Sequence, residues 1–287
     1  INPWGFEFDR WGQSFATDGA GSEGVNYIFP QSVFATSPGA ARILRGLSPG
    51  QPKHCGLEIV EDPHFPDSWQ GNFIPCDFRG NRINRFKLAP SGSGYVATQL
   101  DDVLASTHRA FRPVDVRIGP DGALYIADWY NPIIQHGEVD FRDPRRDQVH
   151  GRIWRLTAKG RPLSPRPQLA GETAAPRAPR LAGARGHLRH FAKQELRQRG
   201  AAEAVPAIDA WAATLGEGGD HALLEAAWAR EGANAFSAEL WQRVWKSTDA
   251  RVRAAALRIL THRWNEYADT AKVLAEAVQD ENPQVRL

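Results

Sequence analysis

The residues best able to do chemistry are concentrated in one stretch of the sequence, residues 129–150. Two histidines there, His136 and His150, could accept or donate a proton near neutral pH and are candidate catalytic residues. Further candidate ligand contacts in this stretch are Trp129, Tyr130, Asn131, Arg142, Asp143, Arg145 and Arg146. The arginines could bind a carboxylate or phosphate through paired hydrogen bonds. Because aspartates alternate with them, a salt-bridged loop that only shapes a rim is the other interpretation.

Three aspartates, Asp18, Asp77 and Asp128, each end an apolar segment that follows a turn. If the fold brings their carboxylates to one face, they could hold Ca²⁺, which takes about six to eight oxygen ligands. Asp128 is also a candidate ligand contact. The alternative is that these aspartates accept hydrogen bonds from backbone N–H groups of loops and terminate strands.

An internal repeat positions these residues. A strand, a turn and a second strand ending in aspartate recur over residues 4–18, 56–77 and 114–128. Alternating strands, tight turns and a unit of about 50 residues are typical of β-propeller blades. Third strands are predicted at 82–88 and 152–156, and 95–100 can supply a fourth. We predict blades over 1–50, 51–106 and 107–158, about half of a six-bladed propeller, and expect the N-terminal half of the domain outside this chain.

A further set of candidates, Asn2, His54 and Arg112, precedes the first strand of each repeat. In a propeller these positions lie near the mouth of the central channel. His54 is therefore the best catalytic candidate outside residues 129–150, and Arg112 is a candidate ligand contact. A structural, hydrogen-bonded histidine is the alternative for His54.

The C-terminal part has a different pattern. Residues 159–180 are rich in proline and predict a semi-extended linker. Residues 181–287 are rich in Ala, Leu and Arg, and a Val-Arg pair recurs 33 residues apart, which predicts HEAT-like helical repeats. Five tryptophans occur here at helical spacing: Trp211, Trp228, Trp241, Trp245 and Trp264. This spacing favours packing between helices over a protein-binding groove. The predicted fold class is a partial propeller followed by an α-helical HEAT-like solenoid.

Composition excludes several classes of protein. The net charge of +2, from 35 Lys+Arg and 33 Asp+Glu, is not that of a dedicated nucleic-acid binder. No apolar run is long enough to span a membrane. The two cysteines, Cys55 and Cys76, form no C-x-x-C-H motif and are expected to be buried free thiols. The sequence lacks methionine, so we expect a fragment that is inactive alone.

Residues 119–132, together with 141–147 and 150–155, carry a family resemblance. They resemble the "membrane-bound dehydrogenase" proteins of planctomycetes and verrucomicrobia, which are similar to glucose/sorbosone dehydrogenase propellers. The resemblance implies a six-bladed propeller, HEAT-like repeats and a c-type haem domain that is absent from this chain. It also implies pyrroloquinoline quinone and Ca²⁺ as cofactors of the full-length protein and an extracytoplasmic location.

Two hypotheses of function follow from these observations. In the first, the chain is part of a quinone-dependent sugar or alcohol dehydrogenase that passes electrons to the haem domain. In the second, it is a non-catalytic carbohydrate- or protein-binding propeller with a solenoid scaffold. A small-molecule substrate and a protein partner on the solenoid are the expected partners.

Overall fold

The computed structural model describes residues 2–19, 24–34, 44–48, 52–168, 171–216 and 218–287. The chain divides into two compact units. The first comprises Ile1–Ser91 and Tyr95–Pro165, and the second contains Arg166–Leu287. Among the helices of these described ranges, none has the length and apolar character needed to cross a membrane.

The first unit consists of three sheets of antiparallel strands, each built from consecutive strands of the chain. The first sheet contains β1 (Pro3–Phe8), β2 (Ser14–Asp18) and β3 (Val25–Tyr27). The second contains β4 (His54–Ile59), β5 (Phe73–Asp77), β6 (Arg82–Ser91) and β7 (Gly94–Ala105). The third contains β8 (Pro113–Ile118), β9 (Leu124–Asp128) and β10 (Arg152–Leu156).

One glycine defines the turn between the first two strands of every sheet. Gly12, Gly71 and Gly122 have φ angles of 75°, 72° and 80°, a left-handed conformation that residues with a Cβ rarely adopt. The Gly122 N–H closes its turn on the Gly119 carbonyl over 2.9 Å. Each turn folds its repeat into a hairpin, and in the second repeat the second strand, β5, is buried along its whole length.

The sheets pack on one another through two apolar layers. Phe15, Leu57 and Phe73 belong to the layer between the first and second sheets. Ile74, Val116 and Ile126 belong to the layer between the second and third. Within the second layer, Cys55 and Cys76 are buried and free, as predicted. The first strands of the three sheets are neighbours, since β4 contacts both β1 and β8.

The second unit is helical. Its helices are α1 (Gly186–Arg199), α2 (Ala201–Ala213), α3 (Asp220–Gly232), α4 (Ala238–Trp245), α5 (Ala250–Arg263), α6 (Thr270–Ala277) and α7 (Pro283–Arg286). Consecutive helices from α1 to α5 contact each other, and α1, α3, α5 and α7 also contact one another in that order. A HEAT-like solenoid stays a prediction for this unit.

The recurring Val-Arg pair has a structural basis. Asp249 accepts the Arg251 N–H at the start of α5, and Asn282 accepts the Gln284 N–H at the start of α7. In each repeat the following arginine, Arg253 or Arg286, donates to two backbone carbonyls five and six residues before it. The repeat therefore preserves a polar helix-start motif as well as an apolar position.

Of the five tryptophans predicted to pack between helices, two are buried in the core of the helical unit. Trp211 and Trp241 are buried, and the Trp241 indole N–H donates to the Ala256 carbonyl over 2.8 Å. Trp264 is 65% exposed, so the packing prediction is wrong for it. Its position at the end of α5 leaves its ring without a covering helix among the described residues.

The observed division between the units falls inside the stretch predicted as a linker, 159–180. The start of that stretch belongs to the first unit, because Arg161 donates to the His64 carbonyl and Ser164 donates to Asp62. Its end belongs to the second unit, where Arg177 is completely buried. Hydrogen bonds therefore hold much of this proline-rich stretch in place.

Candidate functional site

The three strand-ending aspartates have the same structural role. Each is buried, and each accepts the backbone N–H of the residue that precedes the first strand of its sheet. Asp18 accepts from Asn2 (3.2 Å), Asp77 from Lys53 (3.3 Å) and Asp128 from Arg112 (2.8 Å). The carboxylates therefore tie the two ends of each hairpin together, which is the strand-terminating interpretation of the sequence.

These aspartates do not fit a shared calcium site. They end strands of three different sheets, and one oxygen of each already accepts a backbone hydrogen bond. In the part of the chain that the structure describes, no three His, Cys, Asp or Glu side chains form a group that could hold a metal ion. The sequence repeat correctly predicted that each aspartate ends a strand. It did not show which groups each carboxylate would bind.

Asp128 has additional partners at the surface. Its Oδ2 accepts hydrogen bonds from Arg152 Nε (2.8 Å) and from the Trp154 indole N–H (3.0 Å). Burial alone would raise the pKa of Asp128, but these bonds and two backbone N–H bonds lower it below its ordinary value. The ionised carboxylate thus fixes the orientation of an arginine and of a tryptophan that is 42% exposed.

Tyr130 lies at the centre of this surface. The Arg152 guanidinium lies 4.1 Å from the centroid of the Tyr130 ring and 5.0 Å from that of Trp154. Tyr130 has a φ of 55°, which is uncommon for a bulky residue. Its backbone N–H donates to Asp128 over 2.9 Å and stabilises this conformation. We call Asp128, Tyr130, Arg152 and Trp154 the rim cluster.

Two histidines lie beside the rim cluster. The ring centroid of His108 is 5.6 Å from that of Tyr130 and nearly parallel to it, and that of His150 is 5.9 Å away. His150 Nδ1 is 2.8 Å from Asp147 Oδ2. The hydrogen bonds from the His150 backbone and ring, with that from Val149, lower the pKa of Asp147 to about 2. Both imidazole rings are exposed, so they can contact a ligand.

The loop that carries most of these residues is held in shape by buried polar groups. Arg146 is 9% exposed and donates to four backbone carbonyls, those of Gln135, His136, Val139 and Asp140. The Asn131 side chain binds both the Ile133 N–H and the Asp147 carbonyl. These bonds explain how residues 129–150 form a defined rim with little regular structure.

Arg112 anchors this loop to the second sheet. Its guanidinium donates to the Asn131 carbonyl (2.9 Å) and to the Phe78 carbonyl (2.8 Å). Burial, followed by the neighbouring Arg109 charge, lowers the pKa of Arg112 below its ordinary value. The predicted ligand contact is therefore a buried bridge between two loops, and its hydrogen bonds are already used.

The other predicted residues of the loop differ in availability. Arg145 pairs with Asp143, with nitrogen–oxygen distances of 2.7 and 2.9 Å, as the salt-bridged interpretation expects. Arg142 and His136 are exposed, and Trp129 is 43% exposed. The three arginines do not converge on one anion, because only Arg142 among them keeps its guanidinium free of a described partner.

His54 is in the core and not at a channel mouth. It has no exposed surface, and its Nε2 lies 2.9 Å from Asn84 Oδ1. Burial lowers the pKa of His54, which favours the neutral ring. Gly24 closes over Nδ1, because a Cβ there would lie 2.7 Å from that atom. His54 therefore cannot touch a ligand at the surface, and the structural interpretation fits it.

Sequence reasoning missed His108, Arg152 and Trp154 as site residues. Arg152 and Trp154 stand on the third strand that the sequence predicts at 152–156. The register of β10 on β9 places Arg152 opposite Asp128, so pairing the two predicted strands could have indicated that contact. His108 has no such signal, because it reaches Tyr130 from the connection between β7 and β8.

Comparison with known families gives one match over most of the first unit. The model described as "Domain of unknown function (DUF7133)" matches residues 1–160. None of the curated proteins matches the chain.

Solved structures with similarity to the chain include two sugar dehydrogenases. A putative oxidoreductase (glucose dehydrogenase) from Thermus thermophilus is 22% identical over 54% of this chain and 44% of its own, with a TM-score of 0.37. The soluble aldose sugar dehydrogenase of Escherichia coli is 18% identical over 44% of this chain and 41% of its own, with a TM-score of 0.34. This chain therefore spans less than half the length of either protein.

Proposed function

This chain belongs to the DUF7133 family of domains of unknown function, and we propose that its first unit is the sugar-binding part of a β-propeller dehydrogenase. The observation that carries the proposal is the rim cluster. Small-molecule sites combine aromatic surface with a few oriented polar groups. A sugar offers an apolar ring face for the exposed Trp154 ring, and hydroxyl groups for the polar atoms beside it.

The repeated architecture supports the propeller part of the proposal. Each sheet has its strands in chain order, a left-handed glycine in the first turn and a buried aspartate at the end of the second strand. Adjacent first strands are what a ring of blades requires. In the proposal the three sheets are consecutive blades, and the rim cluster lies where one blade's second strand connects to its third.

The oxidation itself is proposed to use pyrroloquinoline quinone with Ca²⁺, and a haem domain to receive the electrons, in an extracytoplasmic protein. These parts rest on the sequence resemblance. The described residues do not fit the cofactors, because Arg145 and Arg146 are occupied within the loop and the three aspartates are not grouped. We therefore assign substrate binding, and no oxidation step, to this chain.

A non-catalytic carbohydrate-binding propeller is the second candidate function. The specific observation that favours it is the state of one predicted catalytic residue and of two predicted metal-binding residues. His54 is inaccessible to a ligand. Asp77 and Asp128 accept hydrogen bonds from nearby backbone N–H groups, and they pair with Arg82 and Arg152. A site with fixed polar groups and no free acid is sufficient for binding.

The two functions are separated by assaying the full-length protein with added pyrroloquinoline quinone and Ca²⁺. The dehydrogenase proposal expects sugar-dependent reduction of an electron-accepting dye for at least one member of a monosaccharide and alcohol panel. It also expects Trp154→Ala to raise KM. Sugar binding without turnover across the panel favours the binding propeller, and neither binding nor turnover contradicts both.

A further inference from the structure

Two exposed histidines flank one tyrosine of the rim cluster. His108 stacks on the Tyr130 ring with an interplanar angle of 20°, and His150 meets it edge-on at 75°. Nothing in the strand repeat requires this arrangement, because His108 comes from a connection between two sheets. The strained φ of Tyr130 places its ring between these groups, and such strain is concentrated at functional sites.

The hydrogen bond of His150 fixes its tautomer. The Asp147 carboxylate is held ionised, since its backbone and ring hydrogen bonds lower its pKa to about 2, and an ionised carboxylate only accepts. His150 Nδ1, at 2.8 Å, must therefore carry the proton. The neutral ring then presents the lone pair of Nε2 to the outside, as a hydrogen-bond acceptor.

The hydrogen bond of His108 fixes the opposite tautomer. The backbone N–H of Ala110 donates to His108 Nδ1 over 3.3 Å, so Nδ1 must hold its lone pair. The neutral ring then carries its proton on Nε2 and presents it as a donor. Among the described residues, neither Nε2 atom has a hydrogen-bond partner.

We infer that His108 and His150 form a donor–acceptor pair that binds hydroxyl groups of a neutral sugar. This inference rests on the proposed function and specifies its substrate chemistry. One hydroxyl accepts from His108 Nε2–H while another donates to His150 Nε2, and the ring face lies against the rim cluster. An anion is a poorer match, because the Nε2 lone pair of His150 would face its negative charge.

Asp147→Asn tests the pair by reversing one tautomer without removing a ring. Asp147 Oδ1 accepts the N–H groups of Val149 and His150, so the carbonyl oxygen of the new amide must take that position. Its NH₂ group then faces His150 Nδ1 and donates to it. The His150 proton is displaced to Nε2, and the acceptor becomes a donor.

The tautomers are measured directly by long-range ¹H–¹⁵N NMR of the histidine rings. We expect the Nδ1–H form for His150 and the Nε2–H form for His108 in the wild type. We expect His150 to switch to the Nε2–H form in Asp147→Asn. A wild-type spectrum with His150 in its Nε2–H form overturns the inference, whatever the binding results are.

Binding is measured by calorimetric titration of D-glucose and its single-deoxy derivatives into the full chain. Asp147→Asn, His108→Phe and His150→Phe should each weaken binding about tenfold, the effect of one hydrogen bond. The phenylalanines keep a ring and remove Nε2. Glu138→Gln alters an exposed residue of the same loop outside the cluster, and should bind like the wild type.

The outcomes separate this inference from the proposed function. If D-glucose binds the wild type and all three variants equally, the inference is wrong while the sugar-binding proposal stands. If no monosaccharide binds the wild type, the sugar-binding proposal is wrong and the inference fails with it. If Glu138→Gln weakens binding as much as His150→Phe, the effect comes from the loop as a whole and contradicts the pair.

Discussion

At the scale of single residues, Asp128 connects the fold to the proposed binding surface. One oxygen accepts two backbone N–H groups, and the other accepts Arg152 and Trp154. Asp128→Asn keeps the shape but removes the charge and turns one acceptor into a donor. We expect it to lower the free energy of unfolding by about 2–3 kcal/mol, measured by urea denaturation.

The matched control for Asp128→Asn is Asp143→Asn. Asp143 also pairs with an arginine, but the pair lies in solvent, where ion pairs contribute little to stability. Its urea midpoint should remain close to that of the wild type. Equal losses in the two variants would contradict the role assigned to Asp128.

Glu58 couples stability to pH. Burial, and then the neighbouring Glu7 charge, raises its pKa from 4.5 to about 8, against the opposing effects of Arg117 and the Ile59 and Ile118 N–H groups. Because the folded pKa is higher, folding favours the protonated form. Its contribution is complete below about pH 4.5 and is lost as the pH rises through about 8, at no more than about 1.4 kcal/mol per pH unit.

Glu58→Gln tests this coupling, because glutamine retains an oxygen acceptor and does not ionise. Urea denaturation at a series of pH values should show a smaller decline of stability between about pH 5 and 8 in the variant than in the wild type. Identical pH profiles would show that Glu58 does not control this range.

At the scale of elements, glycines allow the first strands to approach each other. A Cβ on Gly56 would lie 2.5 Å from the Asp115 Cα, and a Cβ on Gly5 would lie 2.5 Å from the Cys55 carbonyl oxygen. Backbone atoms cannot move aside without separating β4 from β8. We expect Gly56→Ala to lower the free energy of unfolding by about 1–3 kcal/mol, measured by thermal and urea denaturation.

Gly151→Ala is the control for Gly56→Ala. Its nearest neighbour to a new Cβ is the Asp128 carbonyl oxygen at 3.8 Å, which is an ordinary contact. It should therefore leave the first unit as stable as the wild type. A loss as large as that of Gly56→Ala would show that added side-chain bulk, and not strand separation, is responsible.

In the helical unit, Glu225 holds two cations in the core. Its oxygens lie 3.0 Å from Arg189 Nε and 2.6 Å from Lys193 Nζ, and Arg189 and Glu225 are both buried. Glu225→Gln removes the carboxylate charge that faces the buried Arg189 guanidinium. We expect a loss of about 3–5 kcal/mol in the free energy of unfolding, measured by urea denaturation.

The control for Glu225→Gln is Glu266→Gln, which breaks an exposed pair with Arg263 in the same unit. Its effect should stay within about 1 kcal/mol. If Glu225→Gln is equally mild, the buried cluster does not stabilise the helices in the manner described.

Strand positions were predictable because period-two alternation and turn glycines are local signals. The predicted third strand at 152–156 agrees with β10, and the predicted fourth strand at 95–100 lies within β7 (Gly94–Ala105). The exact role of the strand-ending aspartates was open, because the sequence shows where a carboxylate stands but not which N–H groups face it. The backbone bonds of Asp18, Asp77 and Asp128 decide between the two interpretations.

Contacts between distant segments were not predictable. His54 begins a strand, yet its burial depends on Gly24, which approaches it from another repeat. His108 and Tyr130 are brought together by the packing of loops, and no spacing rule connects them. The sequence therefore located the loop of residues 129–150 but not the residues that complete its surface.

At the scale of the whole molecule, the first unit repeats one design three times, and its third repeat carries an elaborated connection. The loop after β9 is long, is fixed by Arg146 and Asn131, and carries the exposed rim cluster. A propeller can gain a binding site by lengthening a connection between strands, because its blades then stay unchanged. The central claim is accordingly that Trp154 and Tyr130 bind a sugar.

The most direct test of this claim is calorimetric titration of the full-length protein with a monosaccharide panel, comparing Trp154→Ala with Trp264→Ala. Both tryptophans are partly exposed, but Trp264 lies in the helical unit. We predict that the wild type and Trp264→Ala bind the same sugar with equal affinity, and that Trp154→Ala binds it at least about tenfold more weakly. Equal binding by all three proteins, or no binding by the wild type, would contradict the account.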